Sequence, residues 1–328
     1  MFRHRNELPV EGRMPAFDGA TAWLNGGPLT PAELRGRVVL VSFGTYTCIN
    51  WLRSLPYVRA WADKYAGHGL AVVGVQTPEF DFEADVDTAG RAIEEMDVRY
   101  PVVVDNDYAV WRAFDNHYWP ALYFVDAEGR IRHHHFGEGE YEGSEMVLQM
   151  LLREAGAEVE QGLVRLEPTG VEAPADWASL GSPESYVGYG RAAGFASPGG
   201  IVPDERHVYL PPDSLRRNEW ALSGTWKLGV EPALVAEPGG TLSYRFHARD
   251  LHLVMGPPPG HPPVRFRVRL DGEAPGPAHG DDIDESGAGT ADYQRIHQLI
   301  RQPAPVGDRL FEIELLDAGV EAFVFTFG

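Results

Sequence analysis

Cysteine is almost absent: the chain of 328 residues has one, Cys48. A single thiol excludes an intramolecular disulfide and any framework of bridges, which agrees with a reducing compartment. Positive charge is also scarce, with 28 Lys and Arg against 48 Asp and Glu and a net charge of -20. Phosphate backbones and anionic lipids are held by clustered Lys and Arg, so nucleic acid and anionic membrane surfaces are excluded as partners. No apolar run reaches the roughly 18 residues that span a bilayer. The opening residues, Met1-Phe2-Arg3-His4-Arg5-Asn6-Glu7-Leu8-Pro9, lack the apolar stretch of a secretory signal. A soluble, cytoplasmic protein is therefore expected. No internal repeat is present, and the length predicts two domains.

What is there is an alternating pattern. Val38-Val39-Leu40-Val41-Ser42-Phe43 is a short β-branched run suited to a buried strand, and Leu52, Leu55, Val58, Trp61, Ala62 and Tyr65 recur with helical spacing over 51–65. A buried strand follows at 70–76, then a polar helix to about Met96, a strand at 102–104, a short helix at 110–114 and a strand at 121–125. Ala127-Glu128-Gly129-Arg130 is a turn that joins this strand to 131–136 as an antiparallel hairpin, and a last helix begins at Ser144. Strands joined by crossover helices predict a layered α/β domain over 1–158. Proline and glycine then become dense, so 159–190 is expected to be an extended connector. Runs at 241–246, 251–255, 264–270, 310–315 and 322–327 alternate with period two between turn clusters. That pattern predicts an antiparallel, jelly-roll-like β-sandwich over 191–328.

Cys48 lies where strand gives way to helix, in Phe43-Gly44-Thr45-Tyr46-Thr47-Cys48-Ile49-Asn50-Trp51. A thiol at a helix start faces unpaired backbone N–H groups and the positive end of the helix dipole, both of which favour thiolate. Two-electron dithiol exchange needs an attacking thiolate and a resolving thiol three residues later. Trp51 stands at that place, and it removes the intramolecular step that releases a mixed disulfide.

The run looks like a thioredoxin active site with its second cysteine replaced by tryptophan. Further segments carry the likeness: Leu55-Pro56-Tyr57-Val58, Pro78-Glu79-Phe80, Asn116-His117-Tyr118-Trp119-Pro120-Ala121, Phe136-Gly137-Glu138-Gly139, Pro183-Glu184-Ser185-Tyr186 and Phe325-Thr326-Phe327-Gly328. In this order and spacing they resemble the DipZ family, relatives of the TlpA and ResA type reductases. The resemblance implies a thioredoxin-like fold for the first half and a carbohydrate-binding-module-like β-sandwich for the second. It also implies a thiol-disulfide task, usually outside the cytoplasm and often beside a membrane domain that delivers electrons. The chain departs from the family at Gly44, where tryptophan is usual, at Trp51, and in showing neither a membrane domain nor an export signal. By the same resemblance Trp119-Pro120 is the cis-proline dipeptide that sits against the active sulfur. Thioredoxins often bury an acid six residues before the first cysteine, and Ser42 stands there. Glu79, beyond a strand end that should open on the edge of Cys48, is the candidate acid, with a helix-capping surface role as the alternative.

These residues predict a monothiol oxidoreductase without metal or cofactor. Cys48 is the nucleophile, Trp119 and Pro120 shape a substrate groove, and Thr45, Asn50 and Trp51 flank the sulfur. The substrate is a protein disulfide or a peroxide, and an external thiol, glutathione or a protein thiol, resolves the product. Thr45-x-x-Cys48 also fits the short Thr-x-x-Cys core of peroxiredoxins, with Val41 at the place of the upstream proline. The alternative is an inactive thioredoxin-fold binding or scaffolding protein in which Cys48 packs against Trp51. Three other features carry weaker signals. His133-His134-His135, with His117 or His68, is a metal site or a solvated hairpin edge. Trp220, Trp226 and Tyr244 are a sugar-stacking platform or a sandwich core, and Asp281-Asp282-Ile283-Asp284-Glu285 is a Ca²⁺ loop or an acidic turn.

Overall fold

Two short strands, β1 (Gly12–Arg13) and β2 (Ala22–Leu24), flank the entry into the first core strand, β3 (Val38–Gly44), all of whose residues are buried. Burial on both faces explains why its sequence reads as a continuous apolar run rather than an alternation. Between β2 and β3, Thr30 closes a capping box with Glu33 over the short helix α1 (Pro31–Leu34). The chain continues through α2 (Ile49–Tyr65), β4 (Leu70–Gln76), α3 (Val86–Glu95), β5 (Val102–Val104), α4 (Ala109–Ala113), β6 (Ala121–Val125), β7 (Arg130–Phe136) and α5 (Tyr141–Glu154). The sheet order is β1-β7-β6-β3-β4-β5-β2. Strands β3, β4 and β5 are parallel, while β6 runs antiparallel to β3 and pairs with β7 as the expected hairpin. The computed structural model describes residues 8–328, which divide after Pro168 into two compact units.

The expected alternation is present, with several boundaries moved by one to three residues. Helix α2 starts at Ile49, so Cys48 is its N-cap residue, and α5 starts at Tyr141 rather than Ser144. Register sets the position of the site. Gly44 at the end of β3 pairs with Gln76 at the end of β4, and Phe43 pairs with Ala121 at the start of β6. The segments 45–48, 77–83 and 119–120 therefore leave the sheet at one edge, where parallel α/β sheets gather their ligand-binding loops.

In the stretch expected to be a connector, Val164 donates its N–H to Glu145 and Gln149 donates to the Gly162 carbonyl, so this part is held against α5. Further on, Ser185–Tyr186 forms strand β8. The second unit adds β9 (Arg206–Tyr209), β10 (Trp220–Leu228), β11 (Ala233–Val235), β12 (Gly240–His247), β13 (Asp250–Gly256), β14 (Val264–Leu270), β15 (Ala288–Ala291), β16 (Arg295–Arg301), β17 (Asp308–Leu315) and β18 (Glu321–Phe327). Their order is β15-β14-β17-β12-β10-β11-β18-β13-β16, with β8 on β18 and β9 on β10. Strand β10 belongs to both layers. Its first residues pair with β12 and its last with β11, and the change falls at Gly224, whose φ is +88° and whose Cβ would lie 3.0 Å from the Gly240 Cα.

Strands β12 and β14 alternate strictly between buried and outward residues, as period two requires. The inward residues, with Trp220, Trp226, Tyr244, Phe311 and Phe325, form one apolar cluster. This overturns the sugar-stacking reading of Trp220, Trp226 and Tyr244, because all three are fully buried and have no face to offer a sugar. Among the described residues no helix is long and apolar enough to cross a membrane.

Candidate active site around Cys48

Cys48 caps α2 with extended backbone (φ -77°, ψ 111°) and is half-buried. Its carbonyl accepts the first intrahelical bond, from Leu52, at 3.0 Å. Its Sγ lies 3.9 Å from the carbonyl oxygen of Trp119, and the Trp119–Pro120 peptide is cis. The Trp119 indole points elsewhere: Nε1 donates to the Thr77 carbonyl at 3.1 Å, and the ring packs 4.3 Å from Trp111. The Trp119 backbone, not its ring, thus faces the sulfur. Next to it Tyr118 and Phe136, both exposed, pack with ring centroids 4.7 Å apart and planes tilted by 30°.

Thr45 is fully buried, and its hydroxyl accepts from Gln76 Nε2 at 2.8 Å. Asn50 is half-buried on the first turn of α2. Trp51 is buried over the end of β3, where an ideal Cβ on Gly44 would stand 2.1 Å from Cδ1 and 2.2 Å from Nε1 of the indole. Its Nε1–H meets no acceptor among the described residues. Ser42 is buried in β3 and supplies no acid.

The buried acid of the site is Glu83. It is fully enclosed and accepts from Thr47 Oγ1 and from the backbone N–H groups of Glu79 and Phe80, the last at 3.0 Å. Burial raises its carboxyl to about 7, against the opposing pull of the bonds from Thr47, Phe80, Thr45 and Glu79. One side chain therefore ties the loop just before the nucleophile to the loop after β4. Glu79, the acid expected from the sequence, is half-buried and contributes its backbone N–H to this hub. Nothing local in the sequence marks Glu83: Phe80 and Phe82, whose rings stack 5.7 Å apart, flank it but do not decide its burial. A second carboxylate, Glu138, pairs with the buried Arg53 of α2 at 2.9 Å, and burial raises its carboxyl.

The remaining sequence signals resolve into structural roles. His134 pairs with Glu11 at 2.7 Å, Asp282 with Arg295 at 2.6 Å, and Asp284 accepts the N–H groups of Ser286 and Ala288. Among the described residues no group of three or more His, Cys, Asp or Glu is placed to hold a metal.

A sheet opening its loops beside a helix-capping thiol and the Trp119 carbonyl of a cis X–Pro peptide defines the first unit as a thioredoxin-like domain. Residues 10–134 match the AhpC/TSA family, and residues 182–328 match the thioredoxin-like C-terminal domain. Protein DipZ of Mycobacterium tuberculosis is 36% identical over 255 residues, 76% of this chain and 36% of that protein. The thiol-disulfide oxidoreductase YkuV of Bacillus subtilis is 35% identical over 125 residues, 38% of this chain and 83% of YkuV. A solution structure of a thioredoxin-like protein in the oxidized form covers 45% of this chain and 99% of its own, at 32% identity and a TM-score of 0.41. The chain belongs to the thioredoxin-like family that includes DipZ and YkuV, and it spans about a third of the length of the DipZ proteins it matches.

Proposed function

We propose that the protein is a monothiol thiol-disulfide oxidoreductase. The Cys48 thiolate attacks one sulfur of a substrate disulfide, that S–S bond breaks, and the departing sulfur leaves as a thiolate that takes a proton from water. Cys48 is left in a mixed disulfide. An external thiol, glutathione or a protein thiol, then attacks the Cys48 sulfur, the bond to the partner breaks and the partner leaves as a thiol. A second external thiol attacks the outer sulfur now joined to Cys48, returns Cys48 to the thiolate and departs as the oxidised pair. The sum is one substrate disulfide reduced at the expense of two thiols. The observation that carries this reading is the 3.9 Å approach of Sγ to the Trp119 carbonyl beside the cis peptide, at the cap of a helix. There an extended partner segment has open backbone to lie against and a polarised sulfur to meet. Exchange is favoured over peroxide reduction because the Thr45 hydroxyl, which would orient a peroxide, is buried and bonded to Gln76. A supply of small thiols fits a reducing compartment, and the cytoplasm is the address proposed. Incubating the protein with oxidised glutathione and weighing it intact tests the reading: one glutathione should add at Cys48. An unmodified Cys48 favours the binding or scaffolding role and overturns the enzyme.

A further inference from the structure

The end of β3 and the first turn of α2 meet more closely than any side chain at position 44 would permit. A Cβ on Gly44 would sit 2.1, 2.2 and 2.3 Å from Cδ1, Nε1 and Cγ of Trp51, well inside any real carbon contact. Nothing in the backbone asks for glycine there, because Gly44 lies within a paired strand and is not among the residues with positive φ. The indole is what asks for it. Trp51 in turn is held by shape and not by a hydrogen bond, since its buried Nε1–H has no acceptor among the described residues. Leaving such a donor unpaired costs on the order of 1–3 kcal/mol. The side chain is retained for its volume.

We propose that Gly44 and Trp51 act as one unit that fixes the number of thiols at this site, the indole filling the space over Gly44 at the place of a resolving thiol. The chemistry rests on the oxidoreductase reading above; the packing stands alone. Residues three apart at a helix start are neighbours, with Cβ atoms about 5–6 Å apart, and a disulfide, whose Cβ atoms lie roughly 3.5–4.5 Å apart, needs only a small closure of the first turn to join positions 48 and 51. Only the side chain at 51 withholds the second sulfur. In a Trp51→Cys protein, the mixed disulfide of Cys48 with glutathione would be attacked by the new thiolate. The Cys48–glutathione bond breaks, a bond between positions 48 and 51 forms, and glutathione departs with the electron pair. Oxidised glutathione supplies all the oxidising equivalents, and two reduced glutathiones leave.

Two measurements on the full chain decide this. With oxidised glutathione, the unaltered protein should keep one glutathione per chain, whereas Trp51→Cys should end with none and with both cysteines closed to iodoacetamide until reduced. A Trp51→Cys protein that accumulates glutathione without closing the bridge overturns the proposal. The second is a cycle read by thermal unfolding. Gly44→Ala should lower Tm by roughly 5 °C when Trp51 is present and leave Tm within about 1 °C in the Trp51→Ala background. Equal shifts in both backgrounds overturn the coupling, even where Cys48 still takes glutathione. If Cys48 takes none in the unaltered protein but the cycle couples, the oxidoreductase reading falls and the packing unit stands.

Discussion

The sandwich and the thioredoxin-like unit differ in how they treat their buried indoles. In the sandwich three large buried rings find partners: Trp220 Nε1 donates to the Ala193 carbonyl at 2.8 Å, Trp226 Nε1 to the Ser223 carbonyl at 2.8 Å, and the Tyr244 hydroxyl meets the Ser185 hydroxyl at 2.7 Å. In the thioredoxin-like unit the indole N–H groups of Trp51 and Trp61 are both buried without an acceptor among the described residues. The contrast extends to charge. The buried Asp250 of the sandwich is clasped by Arg249 and Arg301, which hold its carboxyl below the usual range despite burial. Glu83, bonded to the Thr47 hydroxyl next to Cys48 in the chain, is met among the described residues by neutral donors and is raised instead. The sandwich is not free of unmet groups, since His297 Nε2 and Thr326 Oγ1 are buried without a partner among the described residues. The contrast lies in its bonded indoles and its charge-paired carboxylate, against an unmet indole and a raised carboxyl on the segments that flank Cys48.

The sharpest way to break this comparison is to remove a satisfied ring. Trp226→Ala should destabilise the sandwich by about 3–5 kcal/mol in denaturant unfolding, because an indole-sized cavity opens in a close-packed core. Next in size is the pH response of Glu83. Its folded value, about 7, lies above the unfolded one, so the folded state holds the extra proton and stability is greatest below the unfolded value of 4.5. That stability is lost as pH rises towards 7, by on the order of 3 kcal/mol. Unfolding measured across this window should show the slope, and Glu83→Gln should flatten it. Tryptophan-to-phenylalanine exchange then compares the two units directly. Trp226→Phe abandons the Ser223 carbonyl and should cost about 1–3 kcal/mol, while Trp51→Phe, which only removes an unpaired donor, should stay within about 1 kcal/mol of the unaltered protein or exceed it. Smallest is an exposed pair on α3: Arg91→Ala, which breaks the 2.8 Å contact with Glu95, should shift unfolding by less than about 0.5 kcal/mol.

The legible parts of the chain were those whose signal is local. Strands β3 and β4 and helix α2 announce themselves by β-branched runs and helical spacing, and β12 and β14 by alternation, because each buries a face along its whole length. Strands β1, β2, β8 and β11 have two or three residues each, too few to show any period. At the site, Cys48, Trp119 and Pro120 were legible from the family likeness. Glu83 was not, since the burial of a carboxylate is decided by the two loops that fold over it and not by its neighbours in sequence. Gly44 and Trp51 were each visible as departures. That they touch depends on the turn between β3 and α2, which no periodicity encodes.

The place of β18 in the sandwich has a consequence for how the molecule is made. This strand, Glu321–Phe327, lies inside the sheet, bonded to β11 and β8 on one side and to β13 on the other. On a translating ribosome, β11 and β13 have no neighbour on that side until residue 327 has cleared the exit tunnel. Strands β3 to β7 find all their partners within residues 12–136 and can close far earlier, with shorter loops to bring together. During synthesis, therefore, the strands that carry the Cys48 loop have all their pairing partners available while the sandwich is still an open sheet with exposed edges.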